Sequence, residues 1–435
     1  MSCSEKNSTS SFCNVLWQVV LALAVGCLPI VAAMQPAQAQ TFTVLHSFTG
    51  ESDGYFPTAG LTIDATGNLY GTTESGGYFG GNCAAYHGCG TVFRLAQKNS
   101  SWLLAPIYSF QFGSDGATPL ASVTLGSDGN LYGTTVAGGL YGGDCTSGCG
   151  IVFKLQPPAV VCKSVVCNWT ETVLYRFQPV YDGFWPYAPV TFDPSGNLYG
   201  TTEEGGVQYS CGCGTIYELS PSGGRWTESV IDSFAGYSTG GAYEPTSGVI
   251  LDQTGNLYGT ATGGPQYSAF GVVYELVHGE GGERDIYTFQ GSNDGAYPSG
   301  GLISDRAGNF YGATSSGHTP DTGATIYELS PSNRDWIYTV LYTWPVGAGG
   351  GRGSLTMDQA GNLYGAVVGG TNGFGSIFKL THSNSGWSYS SLHDFIGRDG
   401  WYPNGGLAFD TNGNLFGTTL KGGSYGNGVV FRIVP

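Results

Sequence analysis

The feature that most constrains this chain is a ten-residue phrase that returns seven times. Its first copy reads DATGNLYGTT, from Asp64 to Thr73. The glycine before the asparagine recurs at Gly67, Gly129, Gly196, Gly255, Gly308, Gly361 and Gly413, with spacings of 52 to 67 residues. A period of this length is typical of one propeller blade and exceeds the roughly 20 to 30 residues of a solenoid coil.

Each unit repeats the same order of short apolar segments. In the first unit these are GLTID, NLYGTT, GTVFRL and WLLAPIYSF, with a Gly-rich loop between the second and the third. Short alternating segments bounded by turn residues predict four strands per unit. Seven such units predict an all-β fold, a seven-bladed β-propeller with four-stranded blades.

The two ends of the chain predict how the ring closes. The seventh unit stops at Pro435, one strand short, while FTVLHSF at residues 42–48 matches the fourth-strand pattern. We predict that this N-terminal strand completes the last blade, because that pairing covers two edges that would otherwise be exposed.

The phrase itself has a structural interpretation. Asp64 can accept a bond from a backbone N–H two residues on, Gly67 can take a positive φ, and Gly71 is expected to allow close backbone approach. The second unit has Gly126 where the others have aspartate, and a structural turn tolerates this better than an active site would. We interpret the phrase as a hairpin that each blade requires, with a ligand or catalytic role as the alternative.

Residues 1–39 are predicted to be a signal peptide. An apolar run at 15–33 is followed by Ala37-Gln38-Ala39, an A-x-A cleavage site. Residues 40–435 are then the propeller, secreted or held in the cell envelope, with no transmembrane segment in the mature chain. Lipoprotein processing at Cys27 is the alternative.

The net charge of −16 argues against nucleic acid and anionic membranes as partners.

Eight of the eleven cysteines follow the predicted signal peptide, and an even number in an exported chain favours disulfides over a metal site. They occur in the couples Cys83/Cys89, Cys145/Cys149, Cys162/Cys167 and Cys211/Cys213. Local pairing is expected for the first three couples. A Cys-x-Cys bridge is geometrically tight, so a bond from Cys211 or Cys213 to a neighbouring loop is the alternative there.

The repeated pattern D-x-x-G-N-L-Y-G-T-T-x-x-G-G … G-x-V-F-x-L resembles the choice-of-anchor tandem-repeat proteins that carry GloVer repeats. The resemblance covers residues 41–435. It implies an exported bacterial protein whose repeats precede a surface-sorting tail. The sequence shows no tail after its last blade, so release, or a lipid on Cys27, is expected. The resemblance assigns no catalytic residue.

No catalytic constellation is visible in the sequence. The innermost strands are apolar with Thr and Ser, the six histidines form no spaced ligand pair, and neither G-x-S-x-G nor H-E-x-x-H occurs. We therefore predict a non-catalytic protein without a cofactor, with Ca²⁺ binding as an alternative. A propeller lyase or a lactonase-type enzyme would need a polar cluster at the mouth of the channel.

A second motif lies between the fourth strand and the next blade, reading DGYFP, DGATP, DGFWP, DGAYP and DGWYP, with a GAYEP variant. One interpretation is a turn in which proline sets the entry to the next strand. The other is a binding face, since rings stack on sugars and carboxylates accept bonds from hydroxyls. The candidate ligand-binding residues are Asp53, Tyr55, Phe56, Asp115, Asp182, Phe184, Trp185, Asp294, Tyr297, Asp399, Trp401 and Tyr402.

The function expected from these observations is binding of an extracellular ligand through the loop face. A polysaccharide or another surface polymer is the preferred ligand. A structural or protein-interaction module of the envelope is the alternative, and a propeller lyase or lactonase is the further one.

Overall fold

The computed structural model describes residues 40–159, 169–178, 182–206, 212–236, 240–266, 269–317, 322–333, 335–351 and 353–434. Within this part of the chain, seven antiparallel sheets follow one another as the blades of a β-propeller, which confirms the predicted fold. The predicted signal peptide lies outside the described residues and stays a prediction.

Every blade, numbered here 1 to 7, has four main strands, which follow one another in sequence in blades 1 to 6. The innermost strands are Thr62–Ile63, Thr124–Leu125, Thr191–Phe192, Ile250–Leu251, Ile303–Ser304, Thr356–Met357 and Ala408–Phe409. The second strands are Leu69–Thr73, Leu131–Thr135, Leu198–Thr202, Leu257–Ala261, Phe310–Ser316, Leu363–Val367 and Leu415–Thr419.

The outer half of each blade follows the same order. The third strands are Thr91–Lys98, Ile151–Gln156, Thr215–Ser222, Val272–Leu276, Thr325–Ser332, Ser376–Ser383 and Val429–Val434. The fourth strands of blades 1 to 6 are Ser101–Ser109, Thr170–Arg176, Arg225–Ser233, Arg284–Thr288, Asp335–Thr343 and Gly386–Asp394. A short strand, Ala296–Pro298, and a 3₁₀ helix, Gly81–Tyr86, lie in the connecting loops.

The ring closes through the N-terminal strand, as predicted. Thr41–Ser47 pairs antiparallel with Val429–Val434, so that Thr41 lies opposite Val434 and Ser47 opposite Val429. The last blade thus joins the two ends of the propeller, and its outer strand comes from the start of the propeller chain.

The repeated phrase forms the predicted turn. In blade 1, Asp64 Oδ1 accepts the backbone N–H groups of Thr66 and Asn68 at 2.8 and 3.0 Å, and Gly67 has a φ of +83°. Burial raises the pKa of Asp64, but the bonds from Asn68 and Thr66 outweigh it and hold the pKa below its ordinary value. The carboxylate is therefore used by its own hairpin.

Gly71, the second glycine of the phrase, makes room for a different neighbour from the one expected. A Cβ built on Gly71 would lie 2.5 Å from a ring carbon of Phe93 on the neighbouring strand. The expectation of close backbone approach at Gly71 was wrong, because the space there is taken by an aromatic side chain. Phe93 is fully buried in this position.

Neighbouring blades are joined near the axis by threonine hydroxyls. Thr72 donates to the Ala121 carbonyl of the next blade at 2.9 Å, and Thr134 donates to Ala188 at 3.0 Å. Thr418 of blade 7 donates in the same way to Ala59 of blade 1, at 2.7 Å. The first threonine of the phrase is thus a contact between blades.

Tryptophans near the start of the fourth strands add ring contacts between blades. Each packs on the aromatic residue of the phrase in the preceding blade, with ring centroids 5.8 to 6.5 Å apart. The pairs are Trp169–Tyr70, Trp226–Tyr132, Trp336–Tyr258, Trp387–Tyr311 and Trp102–Phe416.

Three blades bury a tyrosine where the other four bury a phenylalanine. Tyr217, Tyr274 and Tyr327 are fully buried, and their hydroxyls have no hydrogen-bond partner among the described residues. On the adjacent strand, a Cβ built on the second glycine of the phrase would lie 2.3 Å from the hydroxyl oxygen in each of the three blades, at Gly200, Gly259 and Gly312. Burying an unpaired hydroxyl costs free energy, and here it brings no visible compensation.

We expect Tyr217→Phe to raise the free energy of unfolding by about 1 kcal/mol, because it removes a buried hydroxyl without changing the ring. The measurement is the midpoint and slope of chemical denaturation. The matched control is Phe153→Tyr at the same position of blade 2, which should lower the midpoint. An unchanged or lower midpoint for Tyr217→Phe would show that its hydroxyl has a partner.

Candidate functional site

The loops named by the second motif lie beside the Gly-rich loops on one face of the propeller. Isolated backbone bridges join the two kinds of loop within single blades, at Tyr55 with Ser75, Phe184 with Glu204 and Trp401 with Lys421. We call this surface the loop face. The opposite surface, which carries the repeated Asp-x-x-Gly-Asn turns, is the turn face.

The aspartates of the motif bond within their own loops. Asp294 accepts the Tyr287 hydroxyl at 3.1 Å and the N–H groups of Gln290 and Ser292 at 2.7 and 3.0 Å. The other four have equivalent partners on the preceding strand: His46 for Asp53, Tyr108 for Asp115, Tyr175 for Asp182 and His393 for Asp399. These carboxylates stabilise the ends of the fourth strands.

The residue before the proline of each loop has an unusual backbone. Six non-glycine residues there have φ between 55° and 61°. They are Phe56, Thr118, Trp185, Glu244, Tyr297 and Tyr402. This left-handed region is strained for bulky side chains, and a residue before proline normally avoids it. Four of the six positions nevertheless hold aromatic rings.

The strained residue connects two blades through its backbone. Trp185 N–H donates to the carbonyl of Cys149 in the preceding blade at 3.1 Å, and its own carbonyl accepts from Glu203 N–H at 3.1 Å. Tyr402 repeats this arrangement with Phe374 and Leu420, at 3.0 and 2.9 Å. The surrounding bonds therefore fix the left-handed backbone, and the side chain is not needed for the contact.

In blades 1 and 2, a disulfide holds the loop whose carbonyl accepts the backbone N–H of the strained residue in the next blade. Cys83–Cys89 and Cys145–Cys149 are bonded as predicted, and Cys213 is also in a disulfide. Cys162, Cys167 and Cys211 lie outside the described residues. In blades 4 and 6, Phe270 and Phe374 take the position before the glycine that Cys89 holds in blade 1.

The densest group of rings on the loop face spans blades 6, 7 and 1. The rings of Trp401 and Tyr402 stack with centroids 4.9 Å apart, and Phe374 meets Trp401 edge-on at 5.6 Å. The Lys421 ammonium lies 5.6 Å from the ring centroids of both Trp401 and Phe56. Tyr55 then contacts Phe56 at 3.7 Å. We call these six residues the Lys421 cluster.

A second group of rings lies on blades 1 and 2. Tyr86 stacks on Phe112 at 5.0 Å, and Phe112 faces Tyr141 at 6.3 Å. Tyr86 and Tyr141 are 46% and 49% exposed, and each belongs to a loop that a disulfide fastens. Tyr78, Phe79 and Leu140 are exposed on the same two loops.

The remaining predicted residues differ in how accessible they are. Phe184 is 4% exposed and packs in the core, and Asp182 and Asp294 are buried as well. Trp185 is half-buried against Phe184, and Tyr297 is exposed beside Phe270. Tyr55, Phe56, Trp401 and Tyr402 are thus the candidates that the fold brings together.

Several carboxyl groups on the loop face escaped the sequence analysis. Burial, with Glu244 and Glu204 nearby, raises the pKa of Glu203 to about 7. Burial, with Glu203, Glu204 and Glu74, likewise raises the pKa of Tyr187 to about 12. Glu74 and Glu203 directly follow the second strand of their blades, whereas a propeller enzyme usually takes its ligands from the innermost strands. In the sequence, units 1 and 3 both have a glutamate directly after the two threonines of the phrase, and this repetition could have identified Glu74 and Glu203 as candidates.

The central channel is lined mainly by backbone and by small side chains, with Tyr187 among its lining residues. Its cavity of about 380 Å³ is lined by residues such as Thr58, Ser247, Ser354 and Asn404, without Asp, Glu or His. Across the described ranges, no group of three or more His, Cys, Asp or Glu side chains is placed to hold a metal ion. The same part of the chain contains no helix long and apolar enough to cross a membrane.

The fold and the repeated motifs define the protein as a disulfide-containing β-propeller. The model of the Gloeobacter/Verrucomicrobia repeat matches residues 29–172, 141–368 and 324–435. The chain belongs to this repeat family, as the resemblance implied. A comparison with curated proteins finds no match.

Solved structures share the architecture at low sequence identity. PorZ, a surface component of the type-IX secretion system of Porphyromonas gingivalis, is 15% identical with a TM-score of 0.51, over 90% of this chain and 47% of that one. A proposed 6-phosphogluconolactonase from Bacteroides uniformis is 14% identical with a TM-score of 0.48, over 80% and 86% of the two chains.

A third similar structure is a proposed oxidoreductase (glucose dehydrogenase) from Thermus thermophilus. It is 16% identical with a TM-score of 0.41, over 91% of this chain and 100% of that one. At these identities the likeness concerns the fold alone, so the activities of the three proteins are not transferred to this chain.

We expect Asp294→Ala to lower the free energy of unfolding by about 2 to 3 kcal/mol, because four donor groups lose a buried acceptor. Chemical denaturation measures the change. The matched control is Asp144→Ala, which removes an exposed carboxylate and should leave the midpoint unchanged. Equal midpoints for the two variants would argue against the structural role of the Asp-Gly loops.

Stability should also fall as the pH rises from about 4.5 to about 7. Burial, then Asp115, raises the pKa of Glu171 to about 7, and burial, then Asp182, does the same for Glu228. Between these pH values the folded chain holds protons that the unfolded chain, with an ordinary glutamate pKa of 4.5, has released. Folding is therefore favoured at the acidic end.

The measurement is the thermal midpoint across this pH range. We expect the double variant Glu171→Gln/Glu228→Gln to show a smaller drop than the unmodified protein. A midpoint that rises with pH, or an identical slope in the double variant, would contradict the assignment.

Proposed function

We propose that this protein is an exported, non-catalytic propeller that binds an extracellular polysaccharide or another surface polymer through its loop face. The proposal rests on the type of residue found at the strained positions before the loop prolines. Glycine relieves left-handed strain at no steric cost, yet Phe56, Trp185, Tyr297 and Tyr402 stand there. The backbone contacts require the left-handed φ but no bulky side chain, and strain that the fold could avoid is typical of functional positions.

The Lys421 cluster has the chemistry that a sugar polymer needs. Stacked rings present flat apolar surfaces to the C–H faces of sugars, and an ammonium donates hydrogen bonds to hydroxyls. Tyr402 is 36% exposed, and its stacking on Trp401 holds the two rings in place before a ligand arrives. A rigid platform lowers the entropy cost of binding.

Export is supported by the disulfides, because such bonds persist in oxidising compartments. The signal peptide proposed for residues 1–39 is consistent with this location. Release from the cell and lipid attachment at Cys27 remain the two forms of the proposal.

An enzyme is the second candidate, and the carboxyl groups around Tyr187 favour it. Glu203, with a pKa raised to about 7, has the range of a general acid or base near neutral pH. A structural or protein-interaction module of the envelope is the third, and the exposed rings of blades 1 and 2 are its support.

The test is retention of the purified protein on a panel of plant, algal and bacterial polysaccharides in affinity electrophoresis. We expect retention by at least one polymer and a loss of about tenfold in affinity for Trp401→Ala, the scale of a central aromatic contact. Trp185→Ala should weaken binding less, because its ring lies outside the Lys421 cluster. The matched control is Trp387→Ala, on the turn face.

Each polymer is run with added Ca²⁺ and again with a chelator. We expect no effect of the chelator, since the Asp-Gly carboxylates already have protein partners. Sensitivity to the chelator would assign Ca²⁺ to these loops. Shortening of a polymer that Glu203→Gln abolishes would establish the enzyme instead. No retention by any polymer would sink the proposal and leave the protein-interaction module.

A further inference from the structure

A separate groove lies on the turn face, between blades 2 and 3. Its volume is about 480 Å³, within the range of small-molecule sites. The walls include Asp128 and Tyr132 from blade 2, and Phe192, Asp193 and Trp226 from blade 3. None of these residues belongs to the loop face.

The groove lies where the repeated phrase departs from its pattern. Six turns begin with aspartate, but blade 2 has Gly126. A Cβ at this position would lie 2.6 Å from Asp128 Oδ1 and 2.7 Å from a ring carbon of Tyr132, so the present arrangement excludes a side chain. The place that an aspartate side chain takes in the other turns is filled here by the Asp128 carboxylate and the Tyr132 ring, which are themselves walls of the groove.

The hairpin keeps its hydrogen bonds in spite of the missing aspartate. Asp128, two residues further on, accepts the backbone N–H of Asn130 at 3.1 Å, its side-chain amide at 2.6 Å and the Tyr132 hydroxyl at 2.8 Å. The turn is thus preserved while its carboxylate has moved to an exposed position.

The corresponding groove between blades 5 and 6 shows what the usual turn gives. Asp305 itself lines that groove, and Tyr311 donates to both Asp305 and Glu328. Its volume is about 310 Å³, smaller than that of the groove beside Gly126. The two grooves differ at this turn and also on the facing wall, where Phe192 and Pro221 occupy the positions of Met357 and His382.

Three rings shape the larger groove. Tyr132 and Phe192 meet at right angles with centroids 4.9 Å apart, and Tyr132 and Trp226 meet at 64° and 6.3 Å. Phe192 and Trp226 are partly exposed, whereas Tyr132 is buried beneath them. The accessible ring surfaces therefore come from two residues of blade 3 that stand on a fixed base.

The polar groups of the groove select the class of ligand. Asp128 and Asp193 line it, and its lining contains no Lys, Arg or His. Asp128 accepts three hydrogen bonds from Asn130 and Tyr132, and Asp193 accepts three from Ser195 and Asn197. A carboxylate has about four acceptor positions, so each keeps one for a hydroxyl group, while the two charges would repel an anion. Rings for a C–H face together with acceptors for hydroxyls match a neutral sugar.

We propose that this groove is a second carbohydrate site, which binds a neutral saccharide through Trp226, Phe192, Asp128 and Asp193. The proposal is independent of the loop face, because the two sites share no residue. With both sites active, one propeller would hold two polymer chains, or two parts of one chain, on opposite faces. Linked sites raise the overall affinity without a new contact at either one.

The test is titration of the purified protein with cellohexaose, xylohexaose and mannohexaose, followed by calorimetry and tryptophan fluorescence. We expect at least one of these neutral hexasaccharides to bind. Trp226→Ala should weaken that binding by about tenfold, as expected for the loss of a central aromatic contact. The same-face control is Trp387→Ala, which alters the groove between blades 5 and 6 and should bind normally.

A second variant avoids dependence on the folding of Trp226→Ala. Gly126→Asp together with Asp128→Thr restores the turn chemistry of blade 1, where Asp64 and Thr66 occupy these positions. We expect it to fold, with Tyr132 shifting to bond the new aspartate as Tyr70 bonds Asp64. It should lose binding, because the Asp128 carboxylate is removed and the new side chain lies at the edge of the groove. Normal binding by this variant would overturn the proposal.

The loop face is tested separately with Trp401→Ala. Binding that Trp401→Ala abolishes and the groove variants leave intact would locate the hexasaccharide on the loop face and end the groove proposal. Binding lost in the groove variants and kept in Trp401→Ala would support the groove, whatever the outcome for the loop face. No binding by any of the three sugars would also overturn the groove proposal.

Discussion

The structure depends on contacts between neighbouring blades. A four-stranded blade has two apolar faces, and only the blades on either side can cover them. Near the axis the contact is a threonine hydroxyl on a carbonyl, as from Thr72 to Ala121, and farther out it is a tryptophan on a phrase aromatic, as in Trp226 on Tyr132. Because Thr41–Ser47 closes the last blade, every blade has two covered faces.

The same contacts explain why the loop face is a rigid platform. The backbone of a residue such as Trp185 is bonded to the preceding blade and to its own second strand. Disulfides hold the loop that supplies the accepting carbonyl in blades 1 and 2. The side chain is then free to differ from blade to blade, and aromatic residues occupy most of these positions. Variation on a fixed backbone is how binding sites are usually built.

Much of the fold could be predicted from the sequence because its signals are local. The bonds of Asp64 reach two to four residues along the chain, so the repeated letters describe a complete hairpin. The partners of the Asp-Gly loops were also readable, since His46 precedes Asp53 by seven residues and Tyr287 precedes Asp294 by the same number. The sequence prediction placed these carboxylates with the rings as ligands, whereas the structure shows them bonded within their own loops.

The sequence by itself determined the number of blades, the order of their strands, the closing strand and the disulfides Cys83–Cys89 and Cys145–Cys149. The signals for these features lie within a single repeat or at the two ends of the propeller chain. Only the tertiary structure decided which side chains meet. Lys421 lies near Phe56 and Trp401 because the ring closes, and the space beside Gly126 depends on Trp226 of the next blade. Such contacts join residues that are far apart in sequence, and no local pattern encodes their distance.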